Sequence, residues 1–189
     1  MALVQSIEAD WIIHLDADEL LHSYRDRETL NEGIARADAA GFNVIDFNEF
    51  VFLPLECDYD PEHSGFQPIR SYYFFEPYAP RLMRAWKKSP GLTSIQSGGH
   101  TIAGEEIRLS PEKMAMRHYI FYSQEHAYKK YAKRNFASGD LAHGWHSNRL
   151  EQAIQRFRFP PADQLSWLDS AGSRDFNRSG PRSQHYWQW

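Results

Sequence analysis

The sequence predicts a mixed α/β domain, and three observations lead to this fold class. An apolar run at residues 11–15 is followed at once by three carboxylates within four positions. Residues 26–41 combine acidic residues at the start, an apolar stripe and a closing glycine, which are the signals of an amphipathic helix. Two further segments, 42–53 and 113–121, are rich in apolar and aromatic residues and indicate strands. Strands and helices that alternate along a chain are typical of α/β domains.

The first predicted strand, residues 11–15, is short and apolar, which is typical of a strand buried on both faces in a parallel sheet. Asp16, Asp18 and Glu19 then fall at its carboxyl end, where open α/β sheets bind their ligands. Asp16 and Asp18 would point the same way in extended backbone. Such close carboxylates repel each other unless a cation or a proton lies between them, and Mg²⁺ and Mn²⁺ suit carboxylate oxygens. A solvated turn or a helix cap is the alternative.

The segment DWIIHLDADELL resembles the Asp-x-Asp region of family 2 type glycosyltransferases, which have the GT-A fold. In that family the motif ends a central strand and holds a divalent metal that bridges the diphosphate of a nucleotide sugar. The resemblance therefore implies a GT-A-like mixed sheet flanked by helices, with Asp16 and Asp18 as ligands of Mn²⁺ or Mg²⁺. Glu19 matches the acidic residue that often follows the motif.

In the resembled family, strands that hold the nucleotide base precede this motif, whereas here only ten residues precede Trp11. The expected architecture is thus an N-terminally truncated GT-A-like domain over residues 1–160, followed by a loosely structured tail over residues 161–189. A truncated sheet would leave an apolar side uncovered, which would favour self-association through that edge.

The next elements follow from local signals. Residues 26–29 place acidic groups at the positive end of a helix, Leu30, Ile34 and Ala37 form its apolar stripe, and Gly41 is a C-cap. Residues 42–53 are predicted as one long strand, in which Glu49 faces either a cleft or the solvent.

Later in the chain, residues 71–75 and 81–86 are predicted strands, and the second of them carries two arginines. Residues 113–121 alternate in character, with Met114, Met116 and His118 on one face. A helix then begins near Ser123, which is a cap residue.

The resemblance suggests further site residues. A third metal ligand in GT-A enzymes is often a histidine from a distant strand, and His118 matches a His-Tyr pair that recurs in such sequences. His100 is a second candidate, and a hydrogen-bonded structural histidine is the alternative for both. An inverting transfer needs a general base, for which Glu19 and Glu49 are candidates. By residue type, the candidates for binding the donor phosphates are Lys129, Lys133 and Arg134, with a solvated basic helix face as the alternative. Trp145 and His146 are candidates for contacts with the sugar, with ordinary core packing of Trp145 as the alternative.

The implied function is a metal-dependent glycosyltransferase, in complete or truncated form, that moves a sugar from a nucleotide-sugar donor to a glycan or another hydroxyl acceptor. A catalytically silent GT-A-like domain that binds a partner or a sugar is the alternative. A metal-dependent phosphoesterase is a third hypothesis, which only the acidic cluster favours.

Composition excludes several other classes of protein. The net charge is −4 and no zinc-finger spacing occurs, so a nucleic-acid-binding module is not expected. No apolar run approaches the roughly 20 residues of a membrane span. Cys57 is the only cysteine, which excludes an internal disulfide and suits a cytoplasmic location.

Overall fold

The structure, a computed structural model, describes residues 6–55, 69–94, 97–132 and 158–189. It is a mixed α/β structure with two sheets, which confirms the predicted class at this level. The helices are α1 (Leu30–Ala39) and α2 (Gln124–Ala132). The strands are β1 (Trp11–Ile13), β2 (Glu19–His22), β3 (Val44–Ile45), β4 (Phe47–Phe52), β5 (Ser71–Phe75), β6 (Ala85–Lys87), β7 (Met114–His118) and β8 (Ser166–Trp167). None of the helices in these ranges has the length and apolar character that a membrane crossing requires.

The chain divides into two compact units. Unit 1 comprises Met1–Phe50, Phe74–His118 and Arg174–Ser183, and unit 2 comprises Val51–Tyr73, Tyr119–Ser173 and Gln184–Trp189. The expected boundary near residue 160 does not separate these units, because the segment after it contributes residues to both of them.

In unit 1, β1 lies at one end of a three-stranded sheet with the order β1-β6-β3. It pairs antiparallel with β6, so that Ile12 lies opposite Trp86. Ile12 is buried, but Ile13 and Leu15 are 41% and 48% exposed. The prediction of a strand buried on both faces of a parallel sheet is therefore wrong: an antiparallel sheet can leave one face in water. The strand itself is present.

The second sheet has the order β2-β7-β4-β5-β8, and unit 1 contains β2, β7 and the first four residues of β4. Helix α1 buries Ile34 and Ala37 in a core that includes Met114 and Met116 of β7, which confirms the predicted stripe. Thr29 caps the helix through a capping box with Glu32, as acidic and hydroxyl residues at a helix start indicate.

The predicted long strand over residues 42–53 is two strands, β3 and β4, which belong to different sheets. Asp46 lies between them and is buried. Its Oδ1 accepts hydrogen bonds from the backbone N–H groups of Leu82, at 2.7 Å, and Arg81, at 3.2 Å. Its Oδ2 lies 3.3 Å from Lys113 Nζ. The carboxylate thus binds the chain that leads into β6, and the backbone changes sheets at this residue.

In unit 2, β5 pairs antiparallel with β8, so that Ser71 lies opposite Trp167. The core of this unit is aromatic: Phe121 stacks on Phe159 at 6.1 Å between centroids, and Tyr186 and Trp187 are buried against Phe121. Helix α2 begins as predicted, because the Ser123 hydroxyl accepts the N–H of His126 at 3.1 Å.

The segment 161–189 was expected to be a loosely structured tail, and this expectation is wrong. Part of it supplies β8 and the buried aromatic residues of unit 2. Another part, Arg174–Ser183, belongs to unit 1, where the Phe176 ring stacks on Phe50 with centroids 4.0 Å apart. Arg174 Nη1 donates to the carbonyl oxygens of Arg25 and Glu28, each at 2.6 Å.

His22, in β2, is expected to make the stability of unit 1 depend on pH in the acidic range. Its Nδ1 lies 3.0 Å from the Ser23 carbonyl oxygen, and its Nε2 accepts from Arg117 Nε at 3.3 Å. Burial, together with the Arg117 charge, lowers the pKa of His22 to about 4. The unfolded chain binds a proton below pH ~6.5, whereas the folded state resists it until about pH 4.

We therefore expect the free energy of unfolding to fall as the pH drops from about 6.5 to about 4, by a His22 contribution on the order of 3 kcal/mol. Urea unfolding at several pH values would measure this loss. The His22→Gln variant should show a shallower pH dependence over the same window. Equal slopes for the two proteins would contradict the prediction.

Candidate active site

The acidic motif forms the turn between β1 and β2. The backbone N–H of Glu19 donates to the Asp16 carbonyl oxygen at 3.1 Å, and the N–H of Asp16 donates to Glu19 Oε2 at 3.2 Å. Asp16 and Asp18 are therefore not in extended backbone, and their carboxylates have different partners: Asp16 contacts Arg84 and Asp18 faces His118. The expectation that the two side chains point the same way from a strand is wrong, because the chain turns between them.

Arg84 contacts two acidic side chains of this turn, Asp16 and Glu19. Its side chain is only 1% exposed and forms a salt bridge with Glu19, which is also buried. The same Nη2 lies 3.2 Å from Asp16 Oδ2, and Nη1 donates to the Gly99 carbonyl oxygen at 3.2 Å. Gly99 has φ +90°, and a Cβ there would overlap the His14 ring, so the position requires glycine. A buried cation thus compensates the buried negative charge of the motif.

A second group of charged side chains forms around His118, at the end of β7. His118 Nδ1 lies 2.5 Å from Glu49 Oε1, and His118 Nε2 lies 3.7 Å from Asp18 Oδ2. Glu49 is buried in β4, and Arg81 forms a salt bridge with it. Burial, with the Arg84 charge nearby, lowers the pKa of Arg81 to about 10, so its guanidinium remains charged at neutral pH.

The group around Arg84 and the group around His118 are neighbours in the sheet, because Glu19 of β2 lies directly opposite His118 of β7. Unit 1 therefore brings together five of the residues that the sequence predicted for the site. They are Asp16, Asp18, Glu19, Glu49 and His118. Sequence reasoning noted the two arginines before β6 but did not link them to the carboxylates. One signal could have linked the arginines to the carboxylates: a buried carboxylate needs a compensating positive charge.

Two further candidates lie among the described residues. His100 is near Arg84, and burial together with that charge lowers its pKa to about 4, so it stays neutral above this pH. Lys129 lies in α2 of unit 2, where its exposed ammonium pairs with Glu125 at 2.5 Å. Lys133, Arg134, Trp145 and His146 lie outside the described residues.

The two carboxylates predicted as general bases, Glu19 and Glu49, are 3% and 4% exposed. Each forms a salt bridge with an arginine, Arg84 and Arg81 respectively. A general base must come within hydrogen-bond reach of the proton that it removes. In this structure neither carboxylate is open to an acceptor hydroxyl, and both serve instead to hold neighbouring side chains in place.

The donor atoms can be tested against the needs of a divalent cation. Two ligands that each lie about 2.1 Å from one ion can be at most about 4.2 Å apart, and Asp18 Oδ2 and His118 Nε2 are 3.7 Å apart. Among the described residues, no group of three or more His, Cys, Asp or Glu side chains is arranged to hold an ion. These residues therefore suit an open site, in which Mg²⁺ keeps waters and substrate phosphates beside one or two protein ligands.

Comparisons of the chain with protein-family models, with curated proteins and with solved structures found no match. The inference of function therefore depends on the side chains described above and on the resemblance of the Asp-x-Asp segment.

Proposed function

We propose that this chain is a metal-dependent glycosyltransferase domain of family 2 type, with a GT-A-like arrangement around the acidic turn. It would transfer a sugar from a nucleotide-sugar donor to a hydroxyl of a glycan or another acceptor. The observation that carries the proposal is the position of Asp18: it follows a strand in an Asp-x-Asp turn and faces His118 of another strand. A cytoplasmic location is part of the proposal, since Cys57 is the only cysteine.

Asp18 and His118 would hold Mn²⁺ or Mg²⁺, with the diphosphate of the donor and water as further ligands, and the Asp16 carboxylate would add negative charge to the same turn. The bound cation would neutralise the negative charge that develops on the departing nucleoside diphosphate. Arg84 supports this role because its buried charge keeps the turn folded despite the repulsion between neighbouring carboxylates. The Asp16 side chain remains 57% exposed, so the turn is accessible to a ligand from solution.

A second candidate function is a catalytically silent domain that binds a partner or a sugar. The burial of Glu19 and Glu49 against arginines favours it, because both candidates for the general base are engaged elsewhere. Both functions would use the same acidic turn. They differ in whether nucleoside diphosphate is released.

The discriminating experiment measures release of nucleoside diphosphate from a panel of UDP-, GDP- and dTDP-sugars, with Mn²⁺ or Mg²⁺ and with a chelator. Turnover that requires the metal and disappears in Asp18→Ala would support a glycosyltransferase. Absence of turnover with every donor, together with retained Mn²⁺ binding, would favour the silent domain. Release that continues in the presence of the chelator would contradict metal dependence.

We further expect Mn²⁺ binding to depend on both aspartates of the turn. Asp18→Ala removes an oxygen ligand, and Asp16→Ala lowers the negative charge of an open, water-rich site, so most of the measurable affinity should disappear in either variant. Isothermal calorimetry on the two variants and the wild type would measure this. Asp26→Ala is the matched control, because Asp26 is an exposed carboxylate that pairs only loosely with Arg27, at 3.6 Å. Equal affinity in all four proteins would refute the metal site.

A further inference from the structure

We infer that Glu49 is a positioning residue: it fixes the tautomer and the direction of the His118 ring, so that the lone pair of Nε2 faces Asp18. The functional consequence, tighter metal binding, rests on the proposed function. The tautomer itself is a property of the metal-free protein, and it can be measured separately.

The Glu49 carboxylate determines which ring nitrogen of His118 carries the hydrogen. His118 Nδ1 lies 2.5 Å from Glu49 Oε1. An ionised carboxylate can only accept a hydrogen bond, so Nδ1 must carry the hydrogen. In a neutral imidazole the other nitrogen, Nε2, then has no hydrogen and presents a lone pair.

The lone pair on His118 Nε2 faces Asp18. His118 Nε2 lies 3.7 Å from Asp18 Oδ2. This separation is longer than a hydrogen bond and lies below the upper limit of about 4.2 Å for two ligands of one cation. Histidines that bind metals usually donate their other ring N–H to a carboxylate or a carbonyl, which fixes the ring and raises its basicity. The contact between Glu49 and His118 has this form.

Glu49 can serve as a fixed acceptor because Arg81 holds its carboxylate. Its other oxygen, Oε2, forms a salt bridge with Arg81, and the Arg81 guanidinium lies 4.8 Å from the centroid of the Phe75 ring. The carboxylate is therefore buried between a cation on one side and His118 on the other. Its negative charge is compensated, and its rotation is restricted by β4 and by both partners.

The test begins with the metal-free wild-type protein at about pH 8, where an ordinary histidine is neutral. Long-range ¹H–¹⁵N correlation spectra distinguish the two tautomers, and the His118 signals are assigned by their absence in His118→Gln. We expect hydrogen on Nδ1 alone. In Glu49→Gln the amide can either accept or donate, so we expect a mixture of tautomers and Mn²⁺ affinity weakened by about 10- to 100-fold.

Glu76→Gln is the matched control, because Glu76 is another carboxylate of unit 1 that pairs with a cation, Lys113. It should leave the His118 signals and the Mn²⁺ affinity unchanged. Hydrogen on Nε2 in the wild type would overturn the inference, as would an unchanged tautomer and affinity in Glu49→Gln. The wild-type spectrum decides the tautomer even where the variant does not fold.

The design separates the two proposals. If Mn²⁺ binds in an Asp18-dependent manner but His118 carries its hydrogen on Nε2, the inference about Glu49 fails and the proposed function stands. If the wild type shows hydrogen on Nδ1 and Glu49→Gln disturbs it, while neither protein binds Mn²⁺, the positioning role stands and the proposed metal-dependent function fails.

Discussion

Replacing Arg84 with methionine should destabilise the protein by about 3–5 kcal/mol, the usual cost of leaving a buried charge without its partner. Arg84 is 1% exposed and pairs with Glu19, which is buried to nearly the same degree. Methionine preserves much of the volume and the apolar stem but removes the charge, so the Glu19 carboxylate would remain buried and uncompensated. The midpoint and slope of urea unfolding, followed by circular dichroism, would measure this loss.

The double variant Arg84→Met with Glu19→Leu tests the reason for that loss. Replacing both members of a buried ion pair by apolar groups is often close to neutral, so the double variant should recover most of the stability. Arg25→Met is the control, because Arg25 forms an exposed salt bridge with Glu112, and such pairs contribute at most about 1 kcal/mol. If the double variant were as unstable as Arg84→Met, packing around Arg84 would be responsible rather than charge.

Phe50→Ala should destabilise the protein by about 3–5 kcal/mol, as truncations of fully buried aromatic residues do. The Phe50 ring is fully buried in unit 1, where it stacks on Phe176 at 4.0 Å and on Phe74 at 5.2 Å between centroids. The substitution removes the surface on which the segment Arg174–Ser183 packs. Thermal and urea unfolding would both report the loss.

Phe176→Ala provides the complementary measurement. Because the two rings are in contact, the effects of Phe50→Ala and Phe176→Ala should not add, and a double-variant cycle should give a coupling energy of about 0.5–3 kcal/mol. Tyr78→Ala is the control: its ring is 62% exposed, and surface substitutions usually change stability by no more than about 0.5 kcal/mol. Additive effects of the two phenylalanine substitutions would show that the C-terminal segment is not held by this stack.

The elements that the sequence predicted well depend on local signals. The start of α1 follows from Thr29 and Glu32, which are three residues apart and satisfy each other's backbone donors. The start of α2 at Ser123 follows from the same chemistry. The strand that ends at His118 follows from alternation of side chains. Each of these features is determined within a few residues, so no knowledge of the tertiary structure is needed.

The features that were missed depend on distant contacts. Residues 42–53 form an uninterrupted strand pattern, and only the hydrogen bonds from Arg81 and Leu82 to Asp46 show that the strand is divided. The antiparallel partner of β1 comes some 70 residues later in the chain. The burial of Phe176 depends on Phe50, which the polar composition around residue 176 does not indicate.

At the candidate site, too, the residues with local signals were predicted and the residues that depend on distant contacts were not. The Asp-x-Asp segment and His118 were identified from the residues and from the resemblance, and the structure places Asp18 opposite His118. The partners that fix these side chains, Arg84 for the turn and Glu49 with Arg81 for the ring, could not be assigned in advance. A pattern reveals which residue types can do chemistry, whereas the charges that compensate them come from other strands.

The division of the predicted strand at Asp46 also affects how this sequence can tolerate insertions and deletions. Val44 and Ile45 of β3 pair with β6, whereas β4 begins after Asp46 in a different sheet. In an undivided strand, one added or lost residue would turn every later side chain to the opposite face. Here the hydrogen bonds to Asp46 anchor the chain between the two strands. A change of length after this residue would therefore shift the register of β4 while the pairing of β3 stayed in place.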